Sequence, residues 1–216
     1  MSGDGTLAAR DGAFGHFRGR AEEVPVEPLL RMQGYRDPAR VRPRVRDIAT
    51  KAAASARSLI APEACYRRVP IEACGPEELR LAGGVVFHSA RFAKVLDGCR
   101  EAVVFVLTLG PALDAETERL TVEDAIVEAL FLELAGWLAI ERATKGLILH
   151  LTSLLRDQRL GVTRRLGPGY VDWPLDEQAG LFALLEAAPL PVRLMESCAM
   201  VPKMSRSGLY GLRPLD

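Results

Sequence analysis

The run Ala102 to Leu109, reading Ala-Val-Val-Phe-Val-Leu-Thr-Leu, constrains the fold more than any other part of this chain. A stretch this apolar, rich in β-branched residues, has no polar face to turn toward solvent. The strand it predicts is therefore buried on both sides and belongs at the centre of a sheet. Gly110-Pro111 turns the chain into a helix starting near Ala112, and a second, long helix is expected from about Val122 to Leu155. From Ala125 to Ile140 that helix is apolar nearly all the way round, which predicts a buried spine enclosed by the rest of the domain.

Shorter signals surround this frame. Pro28 to Tyr35 reads as a short helix closed by Gly34, and Val41 to Ile60 as a longer one with Pro62 beyond it. Tyr66 to Ile71 and Val85 to His88 read as strands bounded by Gly75-Pro76 and Gly83-Gly84. Ser89 caps a helix over Ala90 to Leu96 that ends at Gly98. A further helix is expected from about Asp176 to Ala187, and strands near Val192–Leu194 and Leu209–Leu212. Helices and strands alternate without repeated βαβ units, so the expected class is α+β, a single domain with a mixed or mainly antiparallel sheet, covering helices and one long buried helix.

With 216 residues, 49% of them apolar, the chain has material for one good core. Its 28 basic and 28 acidic side chains balance, which argues against nucleic acid or an anionic membrane surface as partner. Cys65, Cys74, Cys99 and Cys198 are too widely spaced for a zinc knuckle or a redox motif, and they read as reduced packing residues of a cytoplasmic protein. The Gly-, Arg- and Ala-rich start lacks a signal-peptide core, so an unstructured tail is expected over residues 1–25 and the folded domain over 26–216. The longest apolar run falls short of the roughly 20 residues of a bilayer span.

Chemistry is concentrated in the last quarter. In Gly167-Pro168-Gly169 the glycines reach backbone angles closed to other residues, while the proline fixes its own φ and extends the residue before it. Such a rigid, exposed turn lets a ligand approach the backbone. Arg165 just ahead has the fork that grips a carboxylate, and Tyr170 just behind offers a flat face and a hydroxyl. Taken by itself, the tripeptide reads first as a plain tight turn beside a surface arginine, since Gly-Pro-Gly is common punctuation. Downstream, Glu196-Ser-Cys-Ala-Met200 and Pro202-Lys-Met-Ser-Arg-Ser-Gly208 cluster Ser, Met and Pro residues in what reads as a groove-lining loop, or else Met200 and Met204 are core fillers.

Together, Arg165-Leu-Gly-Pro-Gly-Tyr170, Asp172-Trp-Pro174 and the 196–208 segment resemble the S-adenosylmethionine-binding activation domain of cobalamin-dependent methionine synthase, in its free-standing, single-domain form. The resemblance spans roughly Pro28 to Leu212. It implies a reactivation subunit, part of a methyltransferase system in methionine biosynthesis rather than a complete enzyme. Such a subunit holds S-adenosylmethionine while cob(II)alamin on a partner cobalamin-dependent methionine synthase is reductively methylated, with a flavodoxin-like protein as electron donor. The alternatives are a binding or assembly module for another corrinoid-dependent methyltransferase, or an S-adenosylmethionine sensor.

By the same resemblance, donor contacts fall to Arg165, Leu166 and Gly167, with Gly169 and Tyr170 shaping the turn and Glu196, Ser197, Met200, Ser205 and Ser207 facing the corrin side. It also implies an acidic residue on the long helix. Glu141 is the candidate and Glu133 the alternative, about 80° apart around the helix. Glu141 reads equally as the partner of Lys145 one turn on. No Asp-x-His-x-x-Gly corrinoid motif, metal-spaced His/Cys pair or Gly-x-Gly-x-Gly loop is present, so cobalamin is expected to arrive on the partner protein. Two departures from the multidomain enzyme stand out: its acidic, tryptophan-containing opening motif is missing, and its terminal strands, with their tyrosine, have no counterpart before Asp216.

Overall fold

A computed structural model describes residues 14–189 and 191–215. In chain order the elements are β1 (Phe14–Arg18), α1 (Val26–Met32), α2 (Pro43–Leu59), β2 (Glu63–Cys74), β3 (Glu78–Leu81), β4 (Val85–His88), α3 (Arg91–Val95), β5 (Glu101–Thr108), α4 (Ala112–Val122), α5 (Ile126–Leu155), β6 (Leu160–Val162), α6 (Gln178–Leu184), β7 (Arg193–Leu194), β8 (Met200–Val201) and β9 (Ser205–Pro214). Seven strands form one sheet in the order β4-β3-β2-β5-β9-β6, with β1 beside the first half of β2, and every pairing is antiparallel. β7 and β8 make a separate two-stranded hairpin.

β5 sits where its sequence requires, flanked by β2 and β9 over its whole length. Side chains alternate across it. Val103, Phe105 and Leu107 face a large helical layer in which Leu132, Ile140 and Leu147 of α5 pack over the sheet and Ala49, Ala53 and Ala56 of α2 come close behind. Ala102, Val104 and Val106 face a smaller layer built from Phe87, Phe92, Trp173 and Leu181. The result is an α+β domain of three layers, with the sheet in the middle. Among the described residues no helix is long and apolar enough to cross a membrane.

Four expectations need correction. The 30-residue α5 buries a full stripe but is not enclosed: Val127 is 50% exposed and Leu130 and Trp137 are 46% exposed, because α2 and the sheet cover only part of a helix that is apolar all round. It also starts at Ile126 rather than Val122, after a turn in which Asp124 takes a positive φ of 60°. Within the expected tail, Phe14–Arg18 is a strand paired with β2, and Phe17 is buried 5.3 Å from the His150 ring. Glycine hid that strand. Gly15 is required because a Cβ there would lie 2.1 Å from the Tyr66 ring. The remainder of the expected tail, residues 1–13, lies outside the described residues. Finally, 205–208 is not loop but the start of β9, paired with β5 from Ser205 onward.

Candidate functional site

The chain after α5 runs back along the open edge of β9. β6 pairs with Leu212 to Pro214, Thr163 N–H donates to Gly211 O (3.0 Å), and Leu166 exchanges two backbone bonds with Leu209 (3.0 and 2.9 Å). Gly208 makes this approach possible, since a Cβ there would lie 2.3 Å from Leu166 O. The chain then leaves the sheet at Gly167-Pro168-Gly169. Gly169 has φ +79° and donates to Trp173 O (2.9 Å), closing the turn. At Gly167 a Cβ would lie 2.5 Å from the Arg165 guanidinium and 3.2 Å from Ser207 O, so a larger residue would push the fork aside.

Residues 172–177 pin the turn to the β4–α3 junction. The Asp172 carboxylate accepts from Ser89 Oγ (2.7 Å) and Ala90 N–H (2.8 Å), contacts that hold its pKa below the usual aspartate value. Ser89 Oγ in turn accepts from Arg91 N–H (3.1 Å), although α3 starts at Arg91 and its cap position falls on Ala90, one residue past the expected Ser89. Trp173 is wedged edge-on between Phe87 and Phe92, with ring centres 5.1 and 5.0 Å away. Glu177 accepts from His88 N–H (2.8 Å) and meets His88 Nδ1 at 2.6 Å, which raises the imidazole pKa.

Arg165 is therefore held on a fixed backbone. Its guanidinium donates to Ser207 O (3.1 Å) and lies over the Tyr170 ring at 4.7 Å. On one side of the turn a shallow groove of about 90 Å³ opens toward α5 and β9, bordered by Trp137, Arg165, Tyr170, Met200, Lys203 and Arg206. On the other side a second groove of about 140 Å³ opens toward Ser89, Arg91, Arg164 and Trp173.

The sequence candidates separate by position. Arg165 and Tyr170 border both grooves, Met200, Ser205 and Ser207 border the first, and Leu166 and Gly167 border the second. The Leu166 N–H is already engaged by Leu209, which leaves Gly167 N–H as the backbone donor without a partner among the described residues. Ser205 Oγ donates to Pro202 O (2.6 Å) and lies 2.9 Å from Thr108 Oγ1. Ser207 Oγ donates to Gln178 Oε1 (3.1 Å), and buried Gln178 donates to Cys198 O (3.0 Å), so one side chain ties β9 to the β7–β8 hairpin. Glu196 and Ser197 are exposed at the tip of that hairpin and do not border the groove.

On α5, Glu141 pairs with Arg206 (2.5 Å) rather than with Lys145, and this hydrogen bond holds its carboxyl below the ordinary glutamate range. Glu133 pairs with Lys203, whose backbone N–H donates to Asp114 (2.5 Å). Both acids thus reach the groove through a basic partner that borders it.

Arg206 escaped the sequence reading. Its side chain is only 7% exposed and also donates to Thr144 Oγ1 (3.1 Å). The available signal was a charged residue on the helix-facing register of a strand whose next such residues are Gly208 and Tyr210. Tyr210 itself is buried below, stacked on Phe105 at 5.0 Å. Its hydroxyl has no partner among the described residues, and burial raises its pKa.

No family model matches this sequence, and no curated protein matches it. Its fold, however, is that of a solved structure, the crystal structure of the MetH reactivation domain bound to AdoHcy. The two superpose with a TM-score of 0.70 at 17% sequence identity, over 96% of this chain and 80% of that one.

Proposed function

We propose that this chain, built on the fold of the MetH reactivation domain, is an S-adenosylmethionine-binding reactivation subunit. It supports reductive methylation of cob(II)alamin on a partner cobalamin-dependent methionine synthase, with an electron donor such as a flavodoxin. The observation that carries this reading is the fold likeness, over 96% of the chain, to a domain bound to AdoHcy. The residues around the turn fit such a donor. Arg165 donates to only one protein group among the described residues, so further N–H groups of its fork remain for a carboxylate. Gly167 N–H remains for a ring nitrogen or hydroxyl, and the exposed Tyr170 ring offers a stacking face.

The donor and the cobalt supply the methyl-transfer chemistry; the chain binds, orients and excludes water. Ser207 O and the Tyr170 ring fix the Arg165 fork before any ligand arrives, which lowers the ordering cost of binding. Arg206 neutralises Glu141 beside the groove, so a cationic sulfonium and an anionic carboxylate meet a balanced wall.

Isothermal titration with S-adenosylmethionine and S-adenosylhomocysteine, wild type against Arg165→Ala, tests the reading. Saturable binding in the wild type, weakened at least about tenfold in the variant, is expected for loss of a charge-assisted fork. Wild-type affinity in Arg165→Ala, or failure of the wild type to bind even with a cobalamin-loaded synthase present, refutes it.

A further inference from the structure

The helical layer carries an apolar groove and, beside it, an apolar projection, and we propose that a second copy of this chain covers both, the projection of each copy entering the groove of the other. The groove, of about 320 Å³, lies between α2 and α4 and has more than twice the volume of either groove at the turn. Ile48 and Ala52 of α2, Leu120 of α4 and Leu132 of α5 make its apolar lining. It stays open because α4 is mostly polar: its one buried side chain, Leu113, lies in its first turn, and no hydrogen bond or ion pair among the described residues joins α4 to α2.

The projection is the α4–α5 turn with the start of α5. Val122 is 81% exposed, and Ile126, Val127 and Leu130 are each about half exposed. Scattered singly, such residues would mean little, but gathered at one helix end they form a patch of the kind that marks a protein contact. Ile126 and Leu130, one turn apart, have the spacing of anchors that a helix lays into a groove.

Charge selects the occupant. Residues 42–51, at the start of α2, carry four basic side chains and one acid, whereas residues 116–128, around the projection, carry five acids and one base. Arg44 borders the groove with no hydrogen bond or ion pair among the described residues, and Glu123 and Asp124 follow Val122 directly. An apolar projection flanked by acids thus fits an apolar groove with a basic wall, and this chain has both. A two-fold axis uses each feature twice and closes at a dimer. The contact goes beyond the proposed reactivation role and shares no residue with either groove at the turn.

Sedimentation equilibrium of the full chain over roughly 1–200 µM should show a reversible monomer–dimer equilibrium. Val122→Ser combined with Ile126→Ser, both at exposed positions, should raise the dimer Kd at least about tenfold while the far-UV spectrum stays unchanged. Arg44→Glu and Glu123→Lys should each raise it by roughly fivefold, since each sets like charges against one another. Mixed in equal amounts, these two variants should form a heterodimer as tight as the wild-type dimer, because the reversed charges then face each other across the contact. A role confined to one chain would give no such recovery.

A wild type that stays monomeric throughout overturns the proposal, whether the surface is then found to take up a synthase or residues 1–13 of its own chain. So does a dimer that survives both the serine pair and the charge reversals, because the contact then lies elsewhere, and so does a mixture no more associated than its two components.

Discussion

The turn at 163–173 and the β7–β8 hairpin border the same groove, but they are held by different means. The turn is fixed at both ends: backbone bonds to Gly211 and Leu209 on one side, and Asp172, Trp173 and Glu177 locked onto the β4–α3 junction on the other. Among the described residues, one side-chain bond, from Gln178 to Cys198 O, ties the hairpin tip to the domain. Rigid sites on sheet edges hold catalytic or binding geometry, while weakly tied segments open at low cost. The groove therefore pairs a preorganised wall that carries Arg165 with an adjustable one that carries Met200.

Trp173→Ala should break that contrast most severely. It removes the ring packed between Phe87 and Phe92, and a cost of about 3–5 kcal/mol is expected from urea unfolding, with the turn losing its fixed geometry. Arg206→Ala comes next. It strips a 7%-exposed arginine from β9 between the two walls, and about 2–3 kcal/mol is expected, less than for a fully buried pair because Glu141 is 57% exposed and can be rehydrated. Arg206→Lys, which keeps the charge without the fork, should recover part of the loss.

Much of this organisation was legible in the residues, and the failures have definite causes. β5, β4 and the Gly-Pro-Gly turn were readable because each is specified locally, by an unbroken apolar run or by backbone chemistry. β1 and the start of β9 were not, because Gly15 and Gly208 stand where tertiary crowding forbids a side chain, and Ser-Arg-Ser-Gly has the composition of a loop. Only the partner strands make these segments β. The exposure of Glu196 and Ser197 was equally hidden, since nothing in the run Glu196 to Met200 reveals that it closes a hairpin. The pairing of Glu141 with Arg206 spans 65 positions and outcompetes the local Lys145, a long-range contact that helical spacing cannot foresee.

Gln178→Leu should sharpen the comparison instead of breaking it. Replacing the amide removes the bonds to Cys198 O and Ser207 Oγ at a cost of about 1–2 kcal/mol, and hydrogen exchange should speed up at 195–199 while protection at 166–173 is unchanged. Faster exchange in both segments would show that they open as one unit.

The smallest effect is a pH dependence confined to the turn side. Glu177 raises the His88 pKa above its ordinary 6.5. The contact therefore stabilises the fold in full below that value and is lost as pH rises through the elevated folded value. The difference in urea midpoint between wild type and Glu177→Gln should accordingly shrink as pH climbs from acid to alkaline conditions across that window; a gap that widens contradicts the assignment.

The Arg165 fork also has a consequence for solubility. β6 covers only the last residues of β9, and beyond Leu209 the hydrogen-bonding groups on that flank are guarded by no regular strand among the described residues. The guanidinium on Ser207 O is what closes the flank there, in the manner of the charged residues that keep sheet edges from recruiting strands of other molecules. A chain lacking Arg165 should therefore self-associate as its concentration rises, and size-exclusion chromatography of Arg165→Ala over a dilution series would reveal this where a single binding assay would record only lost affinity.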